Sequence, residues 1–154
     1  MFINGEIGAS PDGLLSLKNY LLEIKTRSFN ATGPLDHVEK YQYVQCQFQL
    51  HCSGREYNVL MLYHPESNSA NYFLVKINPE FVSVALACLQ SIKSFTPLKV
   101  LQRWDSSCPK LRLLWEQHSN KTPDFKSLQP LTGWIGELVK EVKLTSLITL
   151  FPNH

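Results

Sequence analysis

Gly8-Ala9-Ser10-Pro11-Asp12-Gly13-Leu14, followed seven residues later by Leu22-Glu23-Ile24-Lys25-Thr26, is the stretch that decides the fold. Ser10-Pro11-Asp12-Gly13 predicts a tight turn, because Pro presets φ and Gly tolerates positive φ. Residues 20–26 predict a strand, with Leu22 and Ile24 on one face and Glu23 and Lys25 on the opposite, polar face. A turn and the strand after it therefore place two carboxylates and a lysine. Asp and Glu oxygens suit Mg²⁺. A metal so held binds a phosphate oxygen and acidifies a bound water. A lysine beside it can orient that water or offset charge on the phosphorus centre. The same spacing also describes a solvated hairpin face carrying an ordinary Glu–Lys pair worth ~0–1 kcal/mol.

Outward from this stretch, residues 27–35 contain Asn, Gly and Pro and predict a loop. A helix is expected from Asp36, with Asp36 as N-cap and Glu39 completing a capping-box pattern, to a stop at Gly54. Tyr41, Val44, Gln45, Phe48 and Cys52 share one face of it at 3-4 spacing. Residues 57–63 predict a strand ending at His64-Pro65, 66–71 a hairpin loop, and 72–77 a further strand. Asn78-Pro79-Glu80 opens a helix to about Lys93, with Asn as N-cap and Pro at its first position. Beyond Pro97, residues 109–118 predict a helix. Residues 134–150 predict another, although 145–150 read equally well as a strand.

The helix–strand segment strengthens the first motif. Tyr41-Gln42-Tyr43-Val44-Gln45-Cys46-Gln47, then Leu50, Ser53-Gly54 and the apolar run 57–63, follow the Asp and Glu-x-Lys elements in order. Together these motifs resemble the PD-(D/E)XK nuclease superfamily, and within it the lambda-type phage exonuclease and YqaJ-type viral recombinase family. The resemblance covers about residues 5–95. It implies an α/β fold with a restriction-endonuclease-like central mixed sheet flanked by helices. It implies Mg²⁺-dependent hydrolysis of DNA, exonucleolytic, in recombination or DNA-end processing, with Mn²⁺ as an alternative ion and homo-oligomers among relatives. By position, Asp12 and Glu23 look like the metal carboxylates and the backbone carbonyl of Ile24 like a further ligand. Lys25 looks like the catalytic lysine and Gln45 like the active-site glutamine. Gln47 lies on another face, and Gln42 and Gln49 are expected in solvent.

In that family helices precede the Gly-Ala-Ser-Pro-Asp-Gly segment, and one carries an acidic residue. Only seven residues precede Gly8 here, with Glu6 as their acid, so those helices are expected to be missing. Glu116, Glu137 or Glu141 are the acids that another segment could bring in. A nuclease fold without turnover, binding DNA or a protein, is the alternative reading.

Composition sets the outer limits. The chain has 154 residues, 44% hydrophobic and 18% charged, and a net charge of +2, which excludes a disordered chain. The expected organisation is a nuclease-like core over 1–95 and a helical extension over 96–154 packed on it. The core carries seven Lys/Arg against eight Asp/Glu, and the extension eight against five, a mildly basic part suited to a polyanion. No apolar run reaches the roughly eighteen residues of a membrane span. No signal-peptide pattern opens the chain, so an intracellular location, cytoplasmic or nuclear, is expected. Cys46, Cys52, Cys88 and Cys108 lack zinc spacing and read as reduced thiols. His37 and His51 read as helix-surface residues, Arg27 as a phosphate contact or a solvated cation, and Trp104, Trp115 and Trp134 as core aromatics or base-stacking groups.

Overall fold

The computed structural model describes residues 1–5, 7–26, 32–95 and 129–152. They form β1 (Phe2–Asn4), β2 (Ile7–Ala9), β3 (Gly13–Leu15), β4 (Tyr20–Thr26), α1 (Lys40–Ser53), β5 (Tyr57–His64) and β6 (Ser69–Lys76). After these come α2 (Pro79–Phe95), α3 (Gln129–Glu141), β7 (Leu144–Thr145) and α4 (Leu147–Leu150). The chain divides into one compact unit of residues 1–79 with 133–154 and a second of 80–132. This differs from a division at residue 95. The difference arises because β7 returns to pair with β6, Thr145 opposite Tyr72 and Leu144 opposite Phe73. In the second unit α2 starts at Pro79 as expected and buries Phe81, Val82 and Ala85. The expected helix over 109–118 lies outside the described residues.

The first unit is built on a five-stranded mixed sheet in the order β3-β4-β5-β6-β7. β4 and β5 run parallel, and the other neighbouring pairs are antiparallel. Parallel neighbours need a crossover connection, and α1 is the helix in it. One face of the sheet therefore has to suit α1. Strand alternation puts Leu21, Glu23 and Lys25 of β4 on one face, in line with Asn58, Leu60 and Leu62 of β5. Leu21, Asn58, Leu60 and Leu62 are all buried there. Ile24, on the other face, is 39% exposed. The sequence reading of β4 is therefore inverted: Glu23 lies on the buried face, because the helix that covers it offers amides to a carboxylate.

The helix differs from expectation in the same way. α1 begins at Lys40, four residues later than Asp36, with Glu39 as N-cap donating its N–H to Gln42 Oε1 at 2.9 Å. Asp36 Oδ1 faces His37 Nδ1 at 2.8 Å instead. Val38 and Tyr43, at the two positions of a hydrophobic staple, are both buried. The far end is as expected: Gly54 stops the helix at φ 67°, where a side chain would be strained. The buried positions are Gln42, Tyr43, Cys46, Gln47, Gln49 and Leu50, whereas Tyr41 is 60% exposed. Gln42 and Gln49 are thus not solvated. The expected 134–150 helix ends at Glu141 and gives way to β7, and β6 starts at Ser69, three residues early.

α1 is held to the edge of β6 by an amide. Gln47, fully buried, donates from Nε2 to the Lys76 carbonyl at 2.8 Å and accepts from the Asn78 N–H at 2.7 Å. Gln47→Leu keeps the volume but leaves both main-chain groups without this partner. It should destabilise the fold by about 1–3 kcal/mol, read as a lower denaturation midpoint with an unchanged m-value.

Candidate active site around Glu23

Glu23 is 2% exposed, so its charge cannot rely on water. Three donors replace the water. Lys25 Nζ lies 2.6 Å from Oε1, Gln45 Nε2 donates to Oε1 at 2.6 Å, and Gln49 Nε2 donates to Oε2 at 2.6 Å. Bonds of this length to an ionised group are the strong class. Lys25 is two residues along the same strand face, and its side chain keeps 28% exposure. Gln45 and Gln49 are four apart, one turn of α1, so both amides meet the same carboxylate. This is unlike the solvated Glu–Lys pair that the bare spacing also allowed.

The polarity of the network is set by Glu23. An ionised carboxylate only accepts, so Gln49 must present its NH₂. Its Oε1 then faces away and accepts from Asn58 Nδ2 at 2.7 Å. Asn58, fully buried, is left with Oδ1 lacking a partner among the described residues. Turning the Asn58 amide to satisfy that oxygen would set it against Gln49 Oε1. The orphaned acceptor, a cost of about 1–3 kcal/mol, is thus the consequence of holding a charged group two residues away in the chain of amides.

Asp12 approaches from the strand edge. β3 pairs with β4 only as far as Leu22, opposite Gly13. The next outward-facing N–H on that edge, Ile24, donates to Asp12 Oδ2 at 2.7 Å. A strand residue sends its N–H and C=O out by the same edge, so the Ile24 carbonyl faces the Asp12 side too. Gln49 Nε2 also lies 3.3 Å from the Ser10 carbonyl, which ties the Ser10-Pro11-Asp12 segment to the helix face that holds Glu23.

The structure thus gathers Asp12, Ile24, Glu23, Lys25 and Gln45, all named from the sequence, along one strand and the helix above it. Gln49 and Asn58 were missed. A readable signal existed for Gln49, one helical turn from Gln45, and for Asn58, a lone amide at the head of an apolar strand. Glu137 does not join the site: it pairs with Lys140 at 2.8 Å on the surface of α3. Glu141 lines a separate open cavity of about 330 Å³ with Tyr43, Lys76 and Asn78. Glu6, Arg27, Trp104, Trp115 and Glu116 lie outside the described residues.

By type, the oxygen donors here are those that a small hard cation takes. Among the described residues no three His, Cys, Asp or Glu side chains are arranged to hold an ion. Two carboxylates and a main-chain carbonyl remain, and Mg²⁺ takes such a partial set because it keeps several waters and shares the rest with phosphate. Among the described residues no helix is long and apolar enough to cross a membrane. The chain matches no protein-family model, no curated protein and no solved structure.

Cys46 lies under the site, fully buried. Burial pushes its thiol up to about 12; the Glu23 carboxylate adds to the rise and the Lys25 ammonium opposes it. Between about 9 and about 12 the unfolded chain loses this proton while the native state keeps it. The unfolded state then binds fewer protons, so stability falls as pH rises. Chemical denaturation across that range should show a decline that is shallower in Cys46→Ala. Native Cys46 should also resist iodoacetamide at pH 8 and react once unfolded.

Proposed function

We propose that this chain is a metal-dependent deoxyribonuclease of restriction-endonuclease-like architecture, acting on DNA ends as an exonuclease. The observation that carries the reading is the convergence of Lys25 and two glutamine amides on a buried Glu23, with Asp12 bound to the next main-chain N–H. A purely structural face would be served as well by apolar residues in place of the whole group, since a buried ion pair rarely adds net stability over well-packed apolar side chains. A β4–α1–β5 unit with Asp12 at the edge of β4 supports the same architecture.

The residues divide the work. Asp12, Glu23 and the Ile24 carbonyl would hold Mg²⁺ or Mn²⁺, which when bound polarises a phosphate oxygen and acidifies a water. Gln45 and Gln49 fix the Glu23 carboxylate in one orientation, so no reorganisation is needed as charge develops. Lys25, whose side chain keeps 28% exposure, would orient the attacking water or offset charge on the phosphate.

Digestion of linear duplex DNA with Mg²⁺, compared with the same reaction in EDTA, tests the reading. Lys25→Ala should abolish cleavage. Gln45→Leu should lower turnover roughly 10- to 100-fold, the order seen when a group supporting a metal ligand is lost. A wild-type chain that binds DNA ends without cutting them would mark a nuclease fold retained as a binding module. A folded Lys25→Ala variant that cuts at the wild-type rate would remove the lysine from the mechanism.

A further inference from the structure

Lys25 does two incompatible things if the proposed function holds. It is the counter-ion of Glu23 at 2.6 Å, and it is the group meant to act on water or phosphate. We infer that Lys25 and the divalent cation compete for Glu23, so that the lysine is withheld from chemistry until the cation is seated. This inference rests on the metal-site reading above and adds the order of events at that site.

Charge balance carries the argument. Glu23 is 2% exposed, and among the described residues Lys25 is the one cation paired with it; the other two donors, Gln45 and Gln49, are neutral amides. A buried carboxylate needs a positive partner, and an ammonium supplies one charge. A dication held by Asp12 and Glu23 would supply two. The amides need not move, since each is anchored elsewhere or lies on the packed helix: Gln49 is held by Asn58 and by the Ser10 carbonyl. The ammonium is the group able to leave. Its side chain is 28% exposed, at the end of a flexible four-carbon stem, and like-charge repulsion from the cation drives it outward. Released, Lys25 still projects from the same strand face as Glu23, within reach of whatever the cation binds.

The consequence has a sign opposite to that of an ordinary supporting residue. Removing Lys25 should strengthen cation binding. Mn²⁺ titrated calorimetrically into the full chain should bind Lys25→Met about tenfold more tightly than wild type, the order expected for deleting one competing unit charge. Lys25→Gln, which returns a neutral donor to Glu23, should also bind more tightly and guards against a folding defect in the methionine variant. A second measurement uses wild type alone. Acylation of Lys25 by an N-hydroxysuccinimide ester, followed by peptide mass spectrometry, should speed up about threefold or more when Mn²⁺ is added, as a paired ammonium becomes a free one. Binding that is sensitive to Asp12→Asn, yet unchanged or weaker in both Lys25 variants, would overturn the competition and leave the metal site standing. Labelling that does not rise with Mn²⁺ would overturn it as well. Absence of Mn²⁺ binding, or binding indifferent to Asp12→Asn, would overturn the metal site itself and the competition with it.

Discussion

A single negative charge, placed where water does not reach, organises this molecule. Glu23 on β4 is buried by α1, and its free energy of burial is recovered only through the donors brought to it. That requirement explains why α1 presents two amides, Gln45 and Gln49, one turn apart over this strand. A leucine stripe would pack the sheet face equally well and would strand the carboxylate. It also explains why Asn58 carries an oxygen with no partner among the described residues: the direction of every amide in the chain is fixed by the one group that can only accept.

The sheet supplies the geometry that the charge requires. Parallel pairing of β4 and β5 forces a crossover, and the crossover helix lies over the face that carries Glu23 and Lys25. Early termination of β3 leaves the edge of β4 open at Ile24, and Asp12 fills it. A carboxylate at a strand edge and another on the adjacent strand face thus come from two ordinary features, a short strand and a side-chain alternation of two. The glutamine at the other side of α1, Gln47, does structural work with the same chemistry, joining the helix to the chain between β6 and α2.

What was legible in the sequence follows from which signals are local. The strand of residues 20–26, the Gly54 stop and the Asn78-Pro79 start each depend on the backbone preferences of one to a few residues, and the structure has all three, whereas the tight turn expected over Ser10-Pro11-Asp12-Gly13 is a bend at Asp12 with Gly13 already in β3 and not at positive φ. The buried face of α1 was not legible, because periodicity arguments count apolar residues. Here Gln42, Gln47 and Gln49 are buried while Tyr41 is exposed. The face of β4 was misread for the same reason: Leu22 and Ile24 outrank Glu23 in hydropathy, and only the donors on α1 make the opposite choice favourable. The pairing of β7 with β6 depends on residues about seventy positions apart, a relation that no local pattern encodes.

The positions that defeated periodicity are polar groups held by specific partners rather than by packing. Where every local rule agrees, as at Gly54, the residue reports only that a helix ends. Where the rules conflict, as at Glu23 in an apolar strand and at Asn58 with an unmatched acceptor, the fold carries a cost that packing alone would have removed. Replacing Glu23, Lys25, Gln45, Gln49 and Asn58 together by apolar residues of similar size would relieve it, since the charges, the directed amides and the orphaned oxygen would all go. Under the proposed function, that cost is what holds a carboxylate ready for a cation. Two charged groups stand beside it for that purpose: Asp12, bonded to the next main-chain N–H, and Lys25, paired with it from its own strand face.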